Sequence, residues 1–431
     1  MKNYFGRHPR AIWLLLINTL GAFTGYGVIV LIYNLYLVAL GYHEDFIGLF
    51  LSVNAIAMIV GSVVAIWVSH RWGHGWCLVS ASAGVVLSGI GLSFASESAP
   101  ILAFGAFNGL ALGQLFVPAG PFLIEHSSAA HRQDAFSLIW ASQSLSQALG
   151  SAVAGALPTA FAGLLALGDP NGIAPLRLTL LAGALLSALG LVPGLELIRL
   201  QPVAEVATPV RPNLLAAGPV RSDRRLILTF AFVIFMTSVS TGFVWPFLNV
   251  YFADRLGAST VVVGIIFVAM AAAQVIAQLS GPLIARRFGT VTGIWIARLA
   301  TLPIMLGMAF VPNLFYAASA ASLRGALVAM SWPLDNAFSL GLVSPRNRAR
   351  LSSARGIAFN GGQAFSNVIA GQVIVGFGYP PTFIISAGCI LLASLVHFRA
   401  FRREDPHPGV GDRLPWFRAR ARSETESLRG G

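Results

Sequence analysis

Read from its first residue, the chain alternates between long apolar runs and short breaks of charge, proline and glycine. A bilayer core takes about 20 helical residues to cross, and twelve runs reach that length. They cover roughly residues 11–40, 46–68, 76–93, 101–123, 136–157, 176–195, 226–253, 261–284, 291–310, 314–342, 354–375 and 381–398. One break is longer than the rest, 200–223, with prolines at 202, 209, 212 and 219, and it divides the runs six and six. The pattern predicts an all-α membrane protein of twelve transmembrane helices in two six-helix bundles. The bundles occupy 1–199 and 225–400, with a linker at 200–224 and a tail at 401–431.

Composition agrees. Only 10% of the 431 residues are charged and 56% are hydrophobic, whereas a soluble chain carries about 25% charged residues to face water. The net charge of +12 suggests nucleic acid until the charges are placed along the chain. With the N-terminus inside, 24 of the 28 basic residues fall in segments on the same side as both ends. Arg177 and Arg255 lie on the other side with Glu44, Asp45, Glu97, Asp169 and Asp254, while Arg298 and Arg324 fall within spans. That asymmetry is the positive-inside pattern. It predicts a plasma (inner) membrane protein with cytoplasmic termini, and no nucleic-acid partner. Arginine-rich stretches at 399–403 and 413–422 read first as solvated cytoplasmic ends, with contact to anionic membrane lipid headgroups as the alternative. Lys2, Arg7 and Arg10 precede a first run too long for a signal-peptide core, which predicts an uncleaved helix.

Chemistry is sparse. Cys77 and Cys389 make no framework, the eight histidines fall at or beyond the margins of apolar runs, and no phosphate loop or nucleophile constellation occurs. Enzymatic activity, ATP use, cofactors and metals are therefore not expected.

A fixed shift of 216 relates the halves. It carries Gly41 to Gly257, Gly48 to Gly264, Arg71 to Arg287, Gly73 to Gly289 and Gly109 to Gly325. It also carries Arg132 to Arg348, Ser137 to Ser353, Gln147 to Gln363 and Gly155 to Gly371. One offset that matches loop arginines as well as glycines marks a duplication. Parallel six-helix repeats about an axis along the membrane normal are a transporter architecture, with the site between them near mid-bilayer.

The loop Ser69-His70-Arg71-Trp72-Gly73-His74 and its repeat Arg286-Arg287-Phe288-Gly289 resemble the signature loop of the major facilitator superfamily. So do Tyr36-Leu37 with Gly41, and Ile47-Gly48; the resemblance spans 11–400. It implies secondary transport by alternating access, with helices 1, 4, 7 and 10 lining the cavity. Where the family has an acid before Arg-x-Gly, this chain has His70 and Arg286. The arginine that proton-coupled drug antiporters carry on helix 4 falls on Gly105 here, and helix 5 lacks their Gly-Pro pair.

A polar side chain inside the hydrocarbon is costly unless it is paired or faces water, so such residues are the candidates. Helix 1 places Tyr26, Tyr33 and Tyr36 within about 80° of one another with Asn34 beside them. Helix 4 offers Asn108, and helix 7 aligns Ser238, Thr241, Trp245, Asn249 and Phe252. Substrate contact is assigned to Tyr26, Tyr33, Asn34, Asn108, Trp245, Asn249 and Arg324, the last about ten residues into helix 10 and near mid-membrane. Tyr36 also reads as an interface anchor. Arg298 reads as snorkelling toward the cytoplasm, and Gln143, Gln147, Gln363 and Asn367 read as packing amides. Gating is assigned to Arg71, Glu125, Arg132, Arg287, Asp335 and Arg348, with Asp335 and Glu125 pairing with Arg132, Arg348, Arg350 or Arg355. The expected partner is a small amphipathic organic solute, with export favoured, a proton as a possible coupling ion, and a monomeric carrier. Two other readings stand: proton-linked uptake of a sugar or organic acid, and a non-transporting sensor or assembly subunit.

Overall fold

The computed structural model describes residues 10–118, 122–123, 132–200, 220–344 and 347–405. Among these residues twelve helical spans follow in order: α1 Arg10–Ala39, α2 Glu44–Trp72, α3 His74–Phe94, α4 Ser98–Phe116, α5 Arg132–Leu164 and α6 Ile173–Ala188, which continues after a break as Leu191–Leu200. The second set is α7 Val220–Gly242, α8 Thr260–Phe288, α9 Thr290–Phe310, α10 Leu314–Leu342, α11 Arg348–Phe377 and α12 Pro380–Phe401. The expected two-bundle helical fold is what forms. Below, the end where α1 begins and α12 finishes is called proximal, and the opposite end distal.

Ten spans are apolar and long enough to cross a membrane by themselves; α5 and α11 are not among them. Those two are related by the 216-residue shift, Arg132 falling on Arg348. Each packs against the other bundle, α5 on α8 and α11 on α2. A helix that spends one face on protein needs fewer lipid-compatible side chains, which accounts for their polarity.

The repeat is visible in the backbone. Gly41 and Gly257 end the distal turns at φ of 91° and 68°, and Gly73 and Gly289 end the proximal turns at 90° and 86°. L-residues with a Cβ avoid this region, so both pairs are held to glycine. The other repeated glycines make the contact between bundles. A Cβ on Gly48 would meet the Asn367 carbonyl oxygen at 2.3 Å, and one on Gly371 would meet that of Glu44 at 2.2 Å. At the α5–α8 crossing, a Cβ on Gly155 would meet the Gly264 Cα at 2.9 Å, and one on Gly264 would meet that of Gly155 at 2.8 Å. Both crossings lie toward the distal end.

Span 7 departs from the sequence expectation of one helix over 226–253. α7 stops at Gly242, a tight turn runs through Trp245–Phe247, and a short α-helical turn at Leu248–Val250 leads into a wider-bore π turn, Tyr251–Arg255. Pro246 has no N–H to give the helical ladder, so the chain tightens there, with Val244 N bonding the Thr241 carbonyl at 3.1 Å. Two further expectations are corrected. Helix 5 runs through Pro158 to Leu164, and span 6 breaks at Leu189–Gly190, where Gly190 packs on α1 against the Asn18 carbonyl.

Because the distal crossings admit only hydrogen, a larger side chain there must drive the bundles apart. Gly264→Leu is expected to fold yet lengthen the distance between distal spin labels at positions 165 and 312, read by pulsed electron resonance. An unchanged distance distribution would count against the crossing as a closure.

Candidate functional site

The distal closure is built from main-chain carbonyls and two amides. The break in span 7 turns the Pro246 carbonyl out of the helical ladder, and Asn34 of α1 donates to it at 2.6 Å. Asn249, one turn on, donates to the Leu31 carbonyl of α1 at 2.8 Å, and the two amides approach each other at 3.4 Å. Ser52 of α2 donates to the Ala364 carbonyl of α11 at 2.7 Å, and Tyr379 donates to Glu44 Oε1 at 3.0 Å. Between the described residues, the bonds seen across the bundles are these distal and mid-membrane ones. The structure is closed distally.

A second polar assembly lies inside the C-terminal bundle. Arg324 of α10 is 4% exposed; its Nη2 reaches only the Ser240 carbonyl at 3.5 Å, and its Nε has no partner. Ser240 also meets Ser386 of α12, hydroxyl to hydroxyl at 2.8 Å. Nearer the proximal end, Asp335 of α10 lies 3.0 Å from Arg355 Nη2 of α11 and 3.2 Å from His397 Nε2 of α12. Both approaches are close but off hydrogen-bond angle. Arg355 also donates to Ser339 at 2.9 Å. Arg298 of α9 is 2% exposed, with Nε and Nη1 unpartnered.

The sequence-assigned residues divide among these places. Asn34 and Asn249 are the clasp between α1 and the segment of span 7 beyond its break. Trp245 is half-buried at the break, its ring 6.0 Å from Phe267. Tyr26 is half-buried and edge-on to Phe23. Tyr33 is buried, 4.7 Å from the Phe50 ring, with its hydroxyl unpartnered. Asn108 donates to Ser88 at 2.9 Å and accepts from Asn54 at 3.2 Å, all within the N-terminal bundle. Arg71 and Arg287 are exposed, Arg287 lying 5.5 Å from the Phe288 ring centre. Arg348 bonds the Leu340 carbonyl at 3.0 Å, so Arg355 and not Arg348 or Arg350 is the partner of Asp335. Glu125 and the Arg132 side chain lie outside the described residues.

Three readings are corrected. Tyr36 is no interface anchor: it is fully buried and donates to the Ser93 carbonyl at 3.0 Å while Arg177 reaches its hydroxyl at 3.3 Å. Arg298 does not snorkel but is enclosed. His397 is not marginal, because α12 continues to Phe401 and the imidazole is wholly buried. Its signal was present in the sequence: Ser386, Ile390, Ser394 and His397 recur at helical spacing on one face.

Two pseudo-symmetric six-helix bundles, closed against each other at one end, define the scaffold of a secondary transporter. The sequence profile of the Major Facilitator Superfamily matches residues 15–321 and 230–422, and the chain belongs to that family. Its fold is similar to that of a bacterial homolog of the human lysosomal transporter Spinster in an inward-facing, unoccupied conformation. The TM-score is 0.72 at 14% identity, covering 93% of this chain and 98% of that one. The nucleoside transporter NupG gives 0.69 at 16% identity, covering 91% and 99%, and the D-xylose-proton symporter gives 0.66 at 16%, covering 90% and 97%. The uncharacterized membrane protein YJR124C of Saccharomyces cerevisiae is 32% identical over 143 residues, 32% of either chain. The match thus spans about a third of that relative's length.

Leaving the Pro246 carbonyl without its donor should cost about 1–3 kcal/mol, the penalty for an unsatisfied buried polar group. Asn34→Leu is therefore expected to lower the thermal midpoint of the purified protein. Because the two amides share one clasp, the loss in the double variant with Asn249→Ala should fall short of the summed single losses. Additive losses would show two independent contacts.

Proposed function

We propose that this chain carries a small amphipathic organic solute across the membrane by alternating access, in the export direction. The observation that carries the reading is the distal closure. Glycine crossings and the Asn34–Asn249 clasp hold the bundles together at the distal end. Gln143 and Gln147 on α5, and Gln274 and Gln278 on α8, stay half-exposed proximal to the Gly155–Gly264 crossing. Neutral amides beside Tyr26 and Trp245 suit a solute with both an apolar face and hydrogen-bonding groups.

Charge supports an orientation. The proximal end carries the arginine-rich segments, which favours a cytoplasmic location for it, and on that reading the conformation described faces inward. Export then begins with loading from the cytoplasm. The bundle division at 200–224 provides the connector on which the halves rock.

Likeness in fold to a D-xylose-proton symporter favours a second reading: proton-linked uptake. Buried Asp335 and His397 supply titratable groups for it.

Arg324 is assigned to solute transport rather than to stability. A lone buried cation is a poor stabiliser, and exchange for an apolar side chain of similar length is neutral or favourable to folding. Arg324→Met is expected to hold or raise the thermal midpoint while cutting transport at least tenfold in liposomes. A fall in midpoint together with normal transport would mark the arginine as structural. The solute itself is to be found by thermal shift of the purified protein against nucleosides, sugars, organic acids and amphipathic amines, since a bound ligand raises apparent stability. A flat response to all four classes, with folded protein, would count against a carrier.

A further inference from the structure

Three ionisable side chains meet inside the proximal half of the C-terminal bundle, Asp335 of α10, Arg355 of α11 and His397 of α12, and buried Arg298 of α9 is near enough to interact with them by charge. Here one carboxylate faces two permanent cations and an imidazole. What α7 presents to the histidine among the described contacts is an aromatic wall, the Phe230 ring 6.5 Å from it, with Phe338 at 6.3 Å and Phe401 at 5.2 Å closing the other sides. Asp223, at the proximal start of α7, is already taken by Ser344 and by Asn347 at 2.8 Å.

We propose that His397 is a proton-binding site, and that a proton there displaces Arg355 from Asp335. His397 turns Nε2 toward Asp335 Oδ1 at 3.2 Å; the geometry falls short of a hydrogen bond, but the facing carboxylate favours the neutral ring's hydrogen on that nitrogen. Nδ1 is buried without a partner and is where the added proton lands. The proton comes from water at the proximal end and leaves to water; no other bond forms or breaks. A charged imidazole would put three cations around one carboxylate in an enclosure of aromatic rings, where repulsion is poorly screened. The cation that yields is the one nearest to water. Arg355 has a side chain 9% exposed, against 1% for His397 and 2% for Asp335, and it already reaches outward to Ser339. Arg298 is held inside at 2% exposure.

The displacement matters because Arg355 is on α11, whose distal part makes the glycine crossing with α2. Freeing the proximal part of α11 from α10 lets that helix tilt about the crossing, so proton occupancy at one end changes the relation between bundles at both.

This inference rests on the transporter reading, but its test needs no solute. Spin labels at Trp72→Cys on α2 and Arg350→Cys on α11, in a Cys77→Ser, Cys389→Ser background, report proximal separation between pH 5 and 8.5. The expected result is a shift between two distance populations with the midpoint of a single proton, absent in His397→Gln and in Asp335→Asn. An undiminished shift in His397→Gln, or none in the otherwise unmodified protein, overturns the proposal. Should His397→Gln fail to fold, Arg355→Gln carries the same test: a flat profile supports the exchange and an unchanged one refutes it. A pH shift that persists in a protein shown to move no solute would sink the transporter reading alone.

Discussion

Main chain meets main chain where α2 crosses α11 and where α5 crosses α8, and only glycine permits it. Between helices in lipid there is no hydrophobic driving force, since the surrounding chains are as apolar as leucine; association rests on close packing and hydrogen bonds. The glycines at 48, 155, 264 and 371 bring the bundles to that distance. The approach is two-fold symmetric: the 216-residue shift carries the Asn367 carbonyl beside Gly48 onto the Ser151 carbonyl beside Gly264. The break at Pro246 then exposes a carbonyl that Asn34 alone completes from across the interface. Open backbone at membrane depth is tolerated when protein satisfies it.

The two bundles share a scaffold but not a chemistry. Arg324 and Arg298 correspond through the repeat to Asn108 and Ser82. In the N-terminal bundle these are neutral and satisfied: Asn108 with Ser88 and Asn54, Ser82 with Asn18 at 3.2 Å. In the C-terminal bundle the same places hold buried cations with unpartnered nitrogens. A charge in such a position is costly to keep and contributes little to folding. The two halves therefore differ in charge: buried cations are kept in the C-terminal bundle, and the corresponding places in the N-terminal bundle are neutral.

Much of the architecture was legible in the chain. Hydrophobic run length determined the spans other than α5 and α11 because a bilayer has one thickness, and the glycine register determined the repeat because positive φ and main-chain contact both exclude a Cβ. Arg324 and Asp335 also stood out, since charge within an apolar run is conspicuous whatever the fold. What only the tertiary structure decided was partnership. Asn34 and Asn249, 215 positions apart, became one clasp, and Asp335 took Arg355 and His397 in place of Arg348. Helical periodicity places a side chain on a face, but which helix lies opposite depends on how twelve cylinders pack, and that information is spread over every contact between them.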